Sequence, residues 1–438
     1  MHIVIIGGSF AGVSAALSCK TYYPQAKITL IEKGTGLAYI ANSLNEYLKG
    51  KLADLKNGYA YSIKDLQSKG INCLLNHEVT KIDSTNQILY VKASGDSMTL
   101  TYDYLILAMG GKGFTEEPVA ALIDPHSYES SLKSFEKLQK AKTVLIVGGG
   151  TIGIEACEAY QRAGKDVTLL EAYPSLAVKY LDKPISQAVE RLLVSHGVNV
   201  HKRELVNKIV PVNDTIAYQV ITNNSTYLSD CVQFATNFTP NINLVENQIA
   251  LLADRSIAVD EYLATSLKHT FAVGDLIQIP VGLHRKSLYW PSIQHSITSG
   301  SIVAANLIVP TKALPSSETC LYSKLYGYNL LSLGMTASSA EEEGIVTFTS
   351  TYVSQKGGQI FIISKADDGQ ILGIQWLSLA PLQAELALLM TGLQAKFSED
   401  DFLVQAPPFY SGKSLIQFDL YKALYHHKSL RQKEAHLC

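Results

Sequence analysis

A chain of 438 residues is too long for one hydrophobic core, so two or three domains are expected. Apolar residues make up 47% and charged residues 17%, which excludes a disordered or fibrous chain. A formal net charge of −2 leaves no basic footprint for nucleic acid.

The chain opens on IVIIGGSFAGVSAAL, Ile3 to Leu17: an apolar β-branched strand, a tight glycine turn and a helix rich in small residues. Gly7, Gly8 and Gly12 shape the turn, with Ser9 in the middle glycine position. A strand this close to Met1 leaves no room for a signal peptide, and a cytoplasmic location is the expectation. The next strand, ITLIE, ends at Glu32, twenty-five residues after Gly7, and Lys33 follows. A helix-like stretch from Ser62 to Lys69, the strands INCLL and VTKID, and a hairpin from Gln87 to Thr101 come next. TYDYLILAMGG then closes the segment, with Ala108 and Gly110 permitting tight passage of backbone and of a cofactor. The stretch 112–142, with Pro118 and Pro125, reads as a connection plus one helix.

A second strand–turn–helix unit follows, TVLIVGGGTIGIEACEAY from Thr143 to Tyr160. Here Gly148, Gly150 and Gly153 fill all three glycine positions, with Ile152 and Glu155 on the helix. The strand VTLLE ends at Glu171, twenty-three residues after Gly148. In such units the backbone approaches a pyrophosphate, which rests on the helix N-terminus where unpaired N–H groups and the helix dipole favour anions. The acidic residue accepts ribose hydroxyls and repels a 2′-phosphate; no Arg closely follows Glu171, which favours NADH over NADPH. Two units imply two dinucleotides, naturally a flavin and a nicotinamide, and hence electron transfer. The competing reading is two ordinary βαβ units that bind nothing, against which stand both acidic residues.

After NFTPN the chain returns to its first domain. SIAVDEYLATSLKHTFAVGDLIQIP reads as strand, short helix and strand, ending in Gly274 and Asp275. Asp275 can accept hydrogen bonds from a sugar-like hydroxyl chain, or simply cap the next element. A helix runs from about Ser292 to Leu307. From Lys312 onward VTFTSTYV, IFIISKA and ILGIQWLSL suggest an antiparallel sheet, followed by a helix from Gln383 to Gln394. The most apolar stretch, 371–395, is broken by Pro381 and Glu385 and reads as strand, loop and amphipathic helix, not a membrane span. The tail YKALYHHKSLRQKEAHLC shows no convincing apolar face and is expected in solvent.

Six cysteines are scattered without a CxxC pair, so neither a sequence-adjacent redox pair nor a zinc site is read, and no metal is expected. Cys19 and Cys157 fall on the helices after the glycine turns, and Cys73 and Cys231 in apolar runs; all four read as small buried hydrophobes. Cys438 ends the polar tail and reads as solvated.

The two fingerprints, the LILAMGG and TFAVGD runs and the C-terminal sheet-plus-helix segment resemble the flavin-dependent pyridine-nucleotide disulfide reductase superfamily. The NADH peroxidase, NADH oxidase and coenzyme A disulfide reductase group is most similar, through IEKGTGLAYIANSLNEYLKG, GIEACEA, AVDEYLATS and APPFYSG. The resemblance implies an α/β chain with two Rossmann-like three-layer domains and a C-terminal α+β dimerisation domain. The FAD-binding domain would comprise 1–112 and 246–311, the NAD(H)-binding domain 113–245 and the interface domain 312–438. FAD would be held by Gly7, Gly8, Gly12, Glu32, Lys33, Ala108 and Gly110, with Asp275 on the ribityl chain. The helix starting near Ser292 would point its positive end at the flavin ring. NADH would be held by Gly148, Gly150, Ile152, Gly153 and Glu171, with Glu155 brought towards nicotinamide and flavin. A homodimer is implied, with a tetramer possible, and the segment 406–410 would reach over the partner's active site.

Two departures from that group bear on chemistry. Its redox-active cysteine would fall at Asn42, and its histidine in the first glycine turn at Phe10. No cysteine lies between Cys19 and Cys73, so a shifted alignment restores no thiol. Peroxide reduction there needs a thiolate that becomes a sulfenic acid, and disulfide reduction needs the same sulfur; an amide does neither. The expectation is therefore electron transfer from NADH through FAD directly to an acceptor, O2 giving H2O2. A quinone or a redox protein is the alternative acceptor; Phe10, Tyr39, Trp290, Phe409 and Tyr410 would line a quinone slot or merely fill space. A non-catalytic sensor or scaffold is the third reading.

Overall fold

The β-branched runs after Met1 and Lys142 form the central strands of two parallel sheets. The computed structural model describes residues 1–93, 95–113, 122–212, 218–236, 238–282, 286–354, 357–405 and 415–436. The chain divides into two compact units. One comprises Met1–Lys140, Thr236–Val281 and Arg285–Ser316; the other Ala141–Ala235, Gly282–His284 and Ser317–Cys438.

In the first unit the parallel strands lie in the spatial order Thr270–Ala272, Tyr104–Leu107, His2–Ile6, Lys27–Glu32, Ile71–Leu75. Ile5 stands opposite both Leu30 and Ile106 in register. Ile3, Val4 and Ile5 are wholly buried, as expected of a strand covered on both faces and so apolar at successive positions. The helices Phe10–Tyr22 and Ile293–Val303 meet at backbone contact, because a Cβ at Gly300 would lie 2.3 Å from the Ala11 carbonyl oxygen. From the strand His2–Ile6 the sheet grows in both directions, which opens a crevice at the carboxyl ends of the strands. The hairpin expected from Gln87 to Thr101 forms Ile88–Lys92 and Ser97–Thr101.

The short helix expected within EYLATSLKH does not form. The Asp260 carboxylate instead accepts the N–H groups of Tyr262 and Ala264, and Leu263 sits at φ 71°. That aspartate bond competes with helical pairing, leaving a turn closed by a bridge between Val259 and Thr265.

In the second unit Cys231–Phe234, Thr143–Val147, Asp166–Glu171 and Asn199–Lys202 are neighbouring parallel strands in that order. An antiparallel sheet in the order Cys320–Leu325, Tyr328–Gly334, Ile371–Ser378, Gln359–Lys365, Thr347–Val353 belongs to the same unit. It packs with the helix Gln383–Gln394 around Trp376 and Phe402.

The tail is not the solvated segment expected. Leu415–Ala435 is a helix, and Leu420, Ala423, Leu424 and His427 are buried at helical spacing. The histidine completes the stripe because two serine hydroxyls satisfy its ring: Ser350 Oγ lies 2.8 Å from Nδ1 and Ser364 Oγ 2.8 Å from Nε2. Burial, with the nearby Arg431 charge, lowers the His427 pKa to about 3. Cys438 lies outside the described residues. No helix among the described residues is long and apolar enough to cross a membrane.

Candidate functional site

Each glycine turn is pinned by the acidic residue that ends the following strand, and the two units do this alike. Glu32 accepts the Gly8 N–H at 2.6 Å and the Gly34 N–H at 2.6 Å. Glu171 accepts the Gly149 N–H at 2.7 Å and the Tyr173 N–H at 2.8 Å. The repeat goes further than the glycine spacing. Leu37 packs under Gly8 and Leu176 under Gly149, while the Ala38 and Ala177 N–H groups donate to the Gly8 and Gly149 carbonyls. Both alanines occupy the left-handed region, at φ 51° and 50°. Such strain persists only where the surrounding structure fixes it, and here each alanine secures a glycine turn. The shared signal in the sequence is the dipeptide Leu-Ala at 37–38 and 176–177.

The glycines divide by what demands them. Gly7 and Gly148 have φ of 107° and 109°. A Cβ at Gly12 would sit 1.8 Å from the Gly7 carbonyl oxygen, and one at Gly153 2.0 Å from that of Gly148, so each helix presses on its own turn. Gly150 differs. Its φ of −74° suits any residue, and a Cβ there meets no atom within 4 Å. No backbone strain or close contact demands a glycine at 150, whereas a pyrophosphate needing bare backbone does. Beside it Ile152 is 40% exposed on the first turn of the helix, as a ligand-facing side chain would be. In the first unit Ser9 caps its helix without spending its hydroxyl on a capping bond, and Gly110 (φ 68°) borders open space. These features fit two dinucleotides. A carboxylate has about four lone-pair sites, so Glu32 and Glu171 retain acceptor capacity for ribose hydroxyls.

The first unit gathers the remaining expected flavin residues around the same crevice. A Cβ at Gly7 would lie 2.1 Å from the Ala108 carbonyl oxygen, one at Gly274 2.8 Å from Ala11 Cβ. Asp275 therefore stands beside the first helix, and burial raises its carboxyl pKa to about 6. Its Oδ1 accepts from Ser296 at 3.4 Å, leaving room for hydroxyl donors. Ser292 caps the helix Ile293–Val303 by accepting the His295 N–H. Lys33 is exposed.

Phe10 and Trp290 are half-buried and pack against the core of the first unit. The Tyr39 ring meets those of Tyr59 and Tyr128 edge-on. Phe409 and Tyr410 lie outside the described residues, as does the rest of 406–410. Asn42 is half-buried before the helix Ser43–Leu48, and its Oδ1 accepts from Asn45 Nδ2 at 2.7 Å. Asn45 was not singled out from the sequence. In the second unit Glu155 accepts a hydrogen bond from Ser323. Among the described residues no three His, Cys, Asp or Glu side chains group as metal ligands.

Two glycine turns at strand carboxyl ends, each pinned by a carboxylate, define a protein built for two dinucleotides. The chain belongs to the pyridine nucleotide-disulphide oxidoreductase family, whose model matches residues 1–300. It is 28% identical over 354 residues to an NADH oxidase of Enterococcus faecalis, covering 79% of each chain. It is 26% identical over 423 residues to an NADH oxidase of Lactococcus lactis, covering 92% of this chain and 94% of that one. In fold it is similar to the water-forming NADH oxidase from Lactobacillus brevis bound to NADH, with a TM-score of 0.89 at 22% identity. That likeness covers 99% of this chain and 100% of the other. Family membership brings FAD and NAD(H) as cofactors and makes this an NADH-dependent flavoprotein oxidoreductase.

Proposed function

We propose that the protein oxidises NADH with molecular oxygen and without a cysteine redox centre, so that NADH, one proton and O2 give NAD⁺ and H2O2. On this reading residues 1–112 with 246–311 hold FAD, 113–245 hold NADH and 312–438 form a dimer interface. Bound FAD would supply a two-electron relay between NADH and the acceptor. Gly7, Gly8, Gly12, Glu32, Ala108, Gly110, Asp275 and Ser292 hold and orient it; Gly148, Gly150, Ile152, Gly153 and Glu171 do so for NADH.

What supports the reading is that none of the described cysteines is an accessible, low-pKa thiol. By the sequence resemblance the column of the reactive cysteine falls at Asn42, and no described cysteine elsewhere suits the role. Cys19, Cys73, Cys157 and Cys231 are buried. Burial pushes the Cys19 thiol up to about 12 and Cys320 up to about 11, and raises Cys73 and Cys157 as well. A nucleophilic sulfur needs the opposite, a low pKa with solvent access. The packing of Phe10 and Trp290 into the core supports space filling over a quinone slot. The direct test is anaerobic addition of NADH to the FAD-loaded protein. Rapid bleaching of the oxidised-flavin band is expected; no bleaching would leave a sensor or scaffold instead.

A further inference from the structure

We propose that Asp182 is a positioning residue for NADH: it ties the loop behind the second glycine turn to the antiparallel sheet, and the sheet thereby sets the shape of the turn. This rests on that turn being the seat of NADH, and not on oxygen being the acceptor. The loop is short and closely bonded. The Ala177 N–H donates to the Gly149 carbonyl at 2.9 Å, and the Ala177 carbonyl accepts the N–H groups of Tyr180 at 2.8 Å and Leu181 at 2.9 Å. Ser186 Oγ donates to the Leu176 carbonyl at 2.8 Å. Asp182 comes next, at the capping position of the helix Lys183–Ser195.

An aspartate there ordinarily caps its own helix. The extended backbone of Asp182 suits that role, yet its side chain makes no capping bond. The carboxylate turns to the sheet instead. Its Oδ2 accepts Gln375 Nε2 at 2.6 Å and the Ala337 N–H at 3.1 Å, while the Asp182 N–H donates to Gln375 Oε1 at 2.8 Å. Two bonds of opposite sense to one side-chain amide fix the loop in place and direction. Ser332 stands opposite Gln375 in register, and its Oγ donates to the Tyr180 carbonyl at 2.6 Å. Both residues are buried in largely apolar strands, and the polar atoms of both serve residues 180–182. The first glycine turn is supported locally. After Ala38, Tyr39 pairs with Tyr59 and the Ile40 N–H donates to the Gly58 carbonyl at 2.9 Å. Freed from the sheet, residues 176–182 would withdraw from Gly149, and the N–H groups that a pyrophosphate meets would lose their aim.

The test is NADH titration of the FAD-loaded protein, with hydrogen exchange over 172–182. The chains compared are the unmodified one, Asp182→Ala, Asp182→Asn, Gln375→Met and the double variant of Asp182→Ala with Gln375→Met. Asp182→Ala and Gln375→Met should each raise the NADH dissociation constant about threefold to tenfold, the net weight of one hydrogen bond, and speed exchange of the Ala177 amide similarly. Asp182→Asn keeps an oxygen able to take both donors, since Oδ2 alone accepts them, and should stay within about twofold of the unmodified chain. The double variant should go no further than the larger single. Leu424→Ala, which empties core beneath the C-terminal helix, controls for lost stability and should leave the NADH constant unchanged. An unchanged constant in Asp182→Ala and Gln375→Met would overturn the proposal, and so would an equal loss in Leu424→Ala. If Asp182→Ala fails to fold, Gln375→Met keeps the side-chain length and decides alone. If the unmodified chain binds no NADH, the functional reading falls by itself, and unaltered Ala177 exchange in the variants is the result that refutes the anchoring.

Discussion

Replacing Gly150 by alanine separates what the fold needs from what the cofactor needs. The backbone at 150 is extended, with φ −74° and ψ −174°, and a Cβ there has no neighbour within 4 Å. Alanine is a poorer helix cap than glycine by about 0.5–1 kcal/mol. It also restricts the unfolded chain, which returns about 0.4–1 kcal/mol. The terms nearly cancel, so stability should change by less than about 0.5 kcal/mol. A methyl forced into the pyrophosphate path should cost about 1–3 kcal/mol of binding, as overpacking does, or about fivefold to 150-fold in the NADH dissociation constant. Gly153→Ala is the contrasting control. Its Cβ would lie 2.0 Å from the Gly148 carbonyl oxygen, so it should lose about 1–3 kcal/mol of stability or more. NADH titration and denaturant unfolding of both variants measure the two quantities. Unaltered NADH affinity in Gly150→Ala, or destabilisation matching Gly153→Ala, would refute the argument.

Glu171→Ala should strand the Gly149 and Tyr173 N–H groups, costing about 1–3 kcal/mol of stability and weakening NADH binding; calorimetric melting and NADH titration check it. Asn42→Cys should introduce NADH-dependent consumption of added peroxide, read as NADH oxidation without oxygen, although Phe10 in the histidine column limits its rate. For His427 the folded pKa lies near 3, below the ordinary 6.5, so its contribution to stability is present above about 6.5 and lost as pH falls towards 3. The Leu415–Ala435 helix should therefore loosen on acidification, read as early hydrogen exchange, and His427→Gln should flatten that pH dependence.

The parallel strands were legible because strands buried on both faces must be apolar at successive positions, and both glycine turns because a positive φ at 7 and 148 and steric demand at 12 and 153 call for glycine. The short helix expected between the strands of SIAVDEYLATSLKHTFAVGDLIQIP did not form because a single Asp260 side chain supplies the competing bonds. The tail was misjudged because a histidine and an alanine complete its buried stripe, and only the serines from distant strands make that histidine tolerable. Ala38 and Ala177 went unread because nothing in an alanine announces a left-handed backbone; only comparing the two halves reveals the paired Leu-Ala. Asn45 was invisible for a similar reason, since its contact with the helix-capping residue three positions earlier has meaning only once burial is known.

The central claim is that reduction ends at the flavin's external acceptor with no thiol intermediary. Counting hydrogen peroxide formed per NADH consumed in air, with the FAD-loaded protein and no added peroxidase or catalase, tests it most directly. One peroxide per NADH is the predicted result. Sustained NADH oxidation in air with oxygen consumed and no peroxide released, as in a water-forming oxidase, would contradict the account.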